Sequence, residues 1–247
     1  MIKFFRHIRQ RLLSENKFSK YLLYAVGEIV LVVIGILIAL SINNWNENRK
    51  LNEKREKYYQ QVIIDLKNDK EYAVSLKSAF ETNLRSYKDY GKSFKEPGLN
   101  ATKTLQNLRN INYYTVFMDF ESNTINNLID SGDIGLLPQE INNDLTTYLG
   151  SQNKMINGNN ANANELIGML RNASMLGGNL SLRKRLEFQP ELNDELKIKD
   201  NQSQLILVLE AYVLWNTNTS NTSIEQLNDL IEDADLNIAS IEKEFNK

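Results

Sequence analysis

Residues Tyr21 to Ile42 read YLLYAVGEIVLVVIGILIALSI, an apolar run broken by one carboxylate, Glu28. A helix rises about 1.5 Å per residue, so roughly 20 residues cross the roughly 30 Å hydrocarbon layer of a bilayer. A single segment in lipid must pair all its backbone polar groups internally, which only a helix achieves. The run therefore predicts a transmembrane helix over 21–42. No other stretch is apolar for long enough. The best of them, Leu205 to Trp215 (LILVLEAYVLW), is too short and contains Glu210. The expected layout is one span followed by a water-facing domain.

A cleaved signal peptide is the competing reading, since Ala39-Leu40-Ser41 has the small-x-small spacing of a cleavage site. Against it, the run exceeds the roughly 7–15 residues of a signal peptide's apolar core. It also carries Glu28 and follows a long basic stretch. We read it as an uncleaved anchor.

Lys3, Arg6, Arg9, Arg11, Lys17 and Lys20 precede the run. Arg49, Lys50, Lys54, Arg55 and Lys57 follow it, diluted by Glu47, Glu53 and Glu56. The small basic surplus before the span, and the ease of retaining a short tail, predict a cytoplasmic N-terminus. Residues 1–20 are then a basic cytoplasmic tail and 43–247 an extracytoplasmic domain, periplasmic for an inner-membrane protein of a Gram-negative cell. Phe5, Ile8 and Leu12 recur at helical spacing with the arginines on other faces. This suits an amphipathic helix on an anionic leaflet, or a solvated flank that only enforces topology. Trp45 sits where an interfacial aromatic anchor is expected.

Tyr21, Ala25, Glu28, Val32, Gly35, Ala39 and Ile42 alternate by four and three positions and share one helix stripe. Gly35 and Ala39 form a small-xxx-small pair, which permits close helix approach in lipid. Glu28, Val32, Gly35 and Ala39 are thus the candidate helix-association face. Three roles for Glu28 stay open: stabilisation by self-association or head groups, pairing with another membrane protein, and proton handling.

Beyond the span, Tyr59, Val62, Leu66, Ala73, Leu76, Phe80 and Tyr87 keep four-three spacing, with Asp69 and Asn83 as polar interruptions. One helix from about Trp45 to Tyr90, continuous with the span, is the simplest reading. Gly91, Pro97 and Gly98 end it. A short helix follows over 102–109. Tyr113 to Phe120 (YYTVFMDF) fits either a strand or a buried helix. Helices are expected over 123–129, from Pro138 through Tyr148, and over 164–175, with a turn at Leu176 to Leu180 and a boundary at Pro190. The asparagine-rich Asn157 to Asn164 (NGNNANAN) offers no chemical clue. A last helix from near Gln202 carries Ile224, Leu227, Ile231, Ala234, Ile238, Ile241 and Phe245 on one seam. The predicted fold is mainly α: an N-terminal transmembrane helix, then an antiparallel helical bundle with long first and last helices.

Little chemistry is encoded. The chain has no cysteine, and its one histidine is His7. Thiol catalysis, histidine triads and Cys- or His-rich metal sites are excluded from the main domain. Phosphate-binding and zinc-protease motifs are missing. Asp130-Ser131-Gly132-Asp133 begins like a calcium loop but lacks the alternating ligands and distal Glu. A formal net charge of −2 argues against nucleic acid as a partner. No cofactor and no enzymatic activity are expected.

The opening MIKFFRHIRQRLLSENKFSKYLLYAVGEIVLVVIGILIALSINNWNE resembles an uncharacterised family of single-pass membrane proteins from Bacteroidota, particularly flavobacteria. Its marks are the MIKFFRxIRQ tail, the SENKFSKY junction, the GEIVLVVIGILIAL span and the NNWNE exit. Asn123 to Leu137 (NTINNLIDSGDIGLL) is similar to that family's Leu-x-x-Ser-Gly segment. The resemblance implies topology and lineage but no activity. The expected function is a non-enzymatic interaction or scaffold protein of the cell envelope. Its partners would be the bilayer and, through the span, its own copy or another membrane protein. The alternative is a ligand-sensing, transport or proton-motive accessory subunit using Glu28.

Overall fold

Helix α1 runs unbroken from Phe18 to Lys92. Between Gly35 and Gly91 there is no proline or glycine to interrupt it. The computed structural model describes residues 18–177 and 180–245, so the expectations for the basic tail before Phe18 lie outside the described residues. The chain divides into two units, Met1–Lys57 and Tyr58–Lys247. In the first, one helix is long and apolar enough to cross a membrane, and its most apolar 18-residue window has nothing buried within the protein.

The second unit is entirely helix, turn and extended chain, with no strand among the described residues. After α1 come a 3-10 turn, Ser93–Lys95, and α2, Ala101–Arg109, capped by the Asn100 side chain accepting from the Lys103 N–H. Residues 112–122 form no helix or turn, and the alternating burial from Val116 to Met118 marks the middle of this stretch as extended. Helix α3 spans Asn123–Asp130, and Gly132, at φ 76°, takes the left-handed turn after it. Helix α4 covers Gln139–Gly177 in one piece, joining the two helices expected on either side of the asparagine-rich stretch. Two short helices follow, α5 (Leu180–Leu186) and α6 (Pro190–Leu196). The last, α7, is Gln202–Phe245.

The apolar stripe of α1 is buried as its spacing predicts, and Asp69 and Asn83 are buried with it. On α7 the buried arc extends beyond the predicted seam. Leu227, Ala234 and Ile241 are buried, but Ile224, Ile231 and Ile238 are only partly so. The fully covered positions also include Ser220, Ser223, Leu230 and Asn237. The reason is that α7 packs on both α1 and α4, so its buried arc is wider than a two-helix seam.

Contacts along α1 and α7 run in opposite directions. Tyr59 meets Phe245, Lys70 pairs with Asp235, Lys77 bonds Asn228 and Tyr87 bonds Asn216. The antiparallel expectation holds for this pair. It fails for α4, which runs parallel to α1: Tyr58 bonds Asp133 just before α4, Asp69 meets Tyr148 and Gln152, and Tyr87 clusters with Leu166 and Ala173. The chain must therefore travel back along α1 before α4 begins. Residues 112–124 make that return, from beside Asn83 and Ser86 to beside Asp65. Extended chain advances about 3.3 Å per residue against about 1.5 Å in helix. About ten extended steps thus cover a distance that would take about twice as many helical ones.

This segment resolves the ambiguity of Tyr113 to Phe120. It is extended but pairs with no other strand. Val116 and Met118 are buried while Phe117 between them is 43% exposed, the period-two pattern of extended backbone.

Lys197, which ends α6, has φ 46° and is the one non-glycine residue with positive φ among those described. L-residues in this region carry a Cβ clash of about 1–2 kcal/mol that glycine avoids. Lys197→Gly is expected to stabilise the protein by about 0.5–1 kcal/mol, less than the full relief because glycine also loosens the unfolded chain. The urea midpoint checks this.

Candidate functional site

The stripe proposed from sequence lies on the exposed part of α1. Val32 is 57% exposed, Ala39 is exposed and Glu28 is half-buried. A Cβ built on Gly35 would meet nothing within 4 Å. The four residues share one helical face. Trp45 is 65% exposed. The Arg49 guanidinium stacks 5.5 Å from its ring centroid, a cation–π contact the sequence reading missed. Arg49 also faces Glu53 at 3.8 Å, and Lys50 faces Glu47 at 3.3 Å.

A second polar constellation lies inside the helical domain. Asp69 on α1 is 3% exposed. Three groups converge on its Oδ2: Ser122 Oγ at 2.7 Å from the extended segment, and Gln152 Nε2 at 2.8 Å and Tyr148 Oη at 3.0 Å from α4. Ser122 Oγ also lies 2.9 Å from Gln152 Oε1. A hydroxyl has one proton to donate. If Ser122 donates it to Asp69, the Gln152 carbonyl faces an oxygen with no proton between them. If Ser122 donates to Gln152, the Asp69 contact needs a proton from Asp69 itself. A neutral carboxyl thus satisfies every contact, and an ionised one leaves one contact unmade. Burial raises the Asp69 pKa above its ordinary value, opposed by the hydrogen bonds from Ser122, Gln152 and Tyr148 and assisted by the nearby Asp65 charge. Burial also raises the Tyr148 pKa, with Asp69 adding to it. This constellation joins α1, the return segment and α4, and so locks the crossover. The interrupted stripe showed Asp69, but nothing in sequence tied it to Ser122, Tyr148 and Gln152.

The asparagines passed over in sequence have a definite role. Asn160 Oδ1 accepts from the Met118 N–H at 2.9 Å while its Nδ2 donates to the Met118 carbonyl at 2.8 Å. One side-chain amide thereby supplies both bonds a neighbouring strand would. Asn159 Nδ2 donates to the Val116 carbonyl at 3.0 Å, and its Oδ1 accepts from Ser223 at 3.2 Å. Asn83 Nδ2 donates to the Tyr114 carbonyl at 2.8 Å. A third layer holds Tyr87, Tyr212, Asn216 and Ser220, where Asn216 Nδ2 donates to both tyrosine oxygens, at 2.8 and 2.9 Å. Burial, then the neighbouring Tyr212, raises the Tyr87 pKa. Among the described residues no three His, Cys, Asp or Glu side chains are grouped to hold a metal ion. These layers satisfy buried polar groups and give the helices one register.

Residues 28–137 match a protein family described as "Family of unknown function (DUF6090)". The match agrees with the resemblance to an uncharacterised family. It contains Glu28, Asp69 and Ser122 and ends before the helix that supplies Tyr148 and Gln152. No curated protein and no solved structure matches the chain.

Proposed function

We propose that this is a single-pass membrane protein, N-terminus cytoplasmic, whose extracytoplasmic helical domain binds or scaffolds another envelope component without catalysing a reaction. The observation that carries the anchor is the apolar window of α1, none of which is buried by the rest of the protein. Water-soluble monomers rarely expose contiguous apolar surface beyond a few hundred Å². A bilayer removes that surface from water at roughly 25 cal/mol per Å². The position of Trp45 beyond the run, with Arg49 over its ring, suits an interfacial belt. The resemblance of Met1 to Glu47 to an uncharacterised family of single-pass membrane proteins also supports the anchor. The polar layers of the domain are hydrogen-bonded among themselves, which supports a structural role for them over a catalytic one.

Because the chain has no cysteine, single substitutions report cleanly on topology. In outer-membrane-permeabilised cells, Ser78→Cys is expected to react with a membrane-impermeant maleimide, and Ser14→Cys only after lysis. The reverse pattern overturns the orientation, and extraction by alkaline carbonate overturns the anchor.

The face that carries Glu28, Val32, Gly35 and Ala39 is the proposed contact with a second copy or another membrane protein. Disulfide crosslinking of Val32→Cys, Gly35→Cys and Ala39→Cys, against Val33→Cys as an off-face control, tests it. Absence of crosslinking at all three on-face positions rules out self-association. Identical partners and assembly size for Glu28→Gln and wild type in mild detergent would retire any special role for the carboxylate.

A further inference from the structure

We infer that the helical domain has a binding site for a small aliphatic monocarboxylate between α2, the α5–α6 segment and the start of α7. A cavity of about 280 Å³ opens there. Leu105, Leu186, Ile198 and Leu205 supply its apolar lining. Two cations, Arg109 and Lys199, also line it, and among the described residues neither side chain has a hydrogen-bond or ion-pair partner. Among the described residues the other charge in the lining is Glu187. The amides of Asn193 and Gln202 complete the polar side.

The charge count selects the ligand class. Among the described lining residues, two cations and one carboxylate leave a net charge of +1, which one monoanion neutralises. A phosphate dianion would exceed that balance and meet Glu187. The planar guanidinium of Arg109 matches a carboxylate through paired N–H donors. Four aliphatic side chains beside it favour a hydrocarbon tail, and pockets of this kind fix orientation with few polar groups.

Two further observations point to the same place. Lys197, with its left-handed backbone, turns the chain so that Ile198 and Lys199 both line the cavity. Strained non-glycine residues of this kind cluster at ligand clamps. Phe188, Leu192 and Leu196, from the α5–α6 segment that forms one wall, are exposed large apolar side chains.

The test titrates octanoate into the full-length protein in nanodiscs, read by methyl NMR or calorimetry, with acetate, octanol and inorganic phosphate as comparison ligands. Octanoate is expected to saturate, and the three comparison ligands to bind far more weakly. The double variant Arg109→Gln/Lys199→Gln is expected to weaken octanoate about tenfold, the scale of two partly solvated charge contacts. Glu187→Gln is expected to tighten it, a change of opposite sign that misfolding would not produce. Failure to saturate, equal binding of octanol, or variants without these opposed effects would overturn the site. The substituted residues are exposed, and an unchanged melting curve confirms the fold.

Discussion

Asp69→Ala is expected to lower the unfolding free energy by about 3 kcal/mol, because Ser122, Tyr148 and Gln152 lose the carboxyl partner on which all three converge. Asp69 is only 3% exposed, although it borders a cavity of about 510 Å³ that holds room for water. The Asp69→Asn variant separates charge from shape. Burial raises the Asp69 pKa in the folded protein. A raised carboxyl pKa means the folded state holds the proton more tightly than the unfolded chain. Its contribution to stability is therefore full below the unfolded value, near pH 4, and is lost as pH rises through the folded value. Wild type should lose stability relative to Asp69→Asn as pH rises from about 4, and the difference should then level off. Urea midpoints between pH 4 and 8 decide it. If wild type gains on the variant over that window, the three hydrogen bonds outweigh desolvation and the carboxylate is the preferred form.

Asn160→Ala is expected to cost about 3 kcal/mol and to release the return segment. The substitution strips partners from both the N–H and the C=O of Met118, each worth about 1–3 kcal/mol when left unmade in the interior. Met118 is 1% exposed, so those groups cannot turn to water without unseating its side chain. Hydrogen exchange at the Met118 amide should rise more than at amides in the middle of α7. Equal change at both sites would mean that the segment has no independent stability and opens only with the whole domain.

These two effects mark where sequence reading stopped. The stripe of α1 was legible because a helix with one buried face repeats its apolar residues every three to four positions, and Tyr59 through Tyr87 do so. The end of α1 beside Gly91 followed from local turn chemistry in the same way. The Asp69 site was half legible, since a lone carboxylate in an apolar stripe marks a buried polar group. Its partners come from positions 122, 148 and 152, which no periodicity connects to 69. The α7 seam was read too narrowly because a two-helix pattern was laid on a helix with two neighbours. Asn159 and Asn160 were passed over because an asparagine that replaces a strand partner looks, in sequence, like any solvated asparagine.

Local patterning alone determined the long apolar helix, the mainly α character and the positions of most helix boundaries. Each depends on a residue and its neighbours within about two turns. Tertiary structure alone decided that α4 runs parallel to α1, that residues 112–122 form no helix and have no strand beside them, and which side chains close around Asp69. Those outcomes depend on groups far apart in the chain meeting in space, where a buried N–H, C=O or carboxyl must find a partner and takes whichever one packing presents.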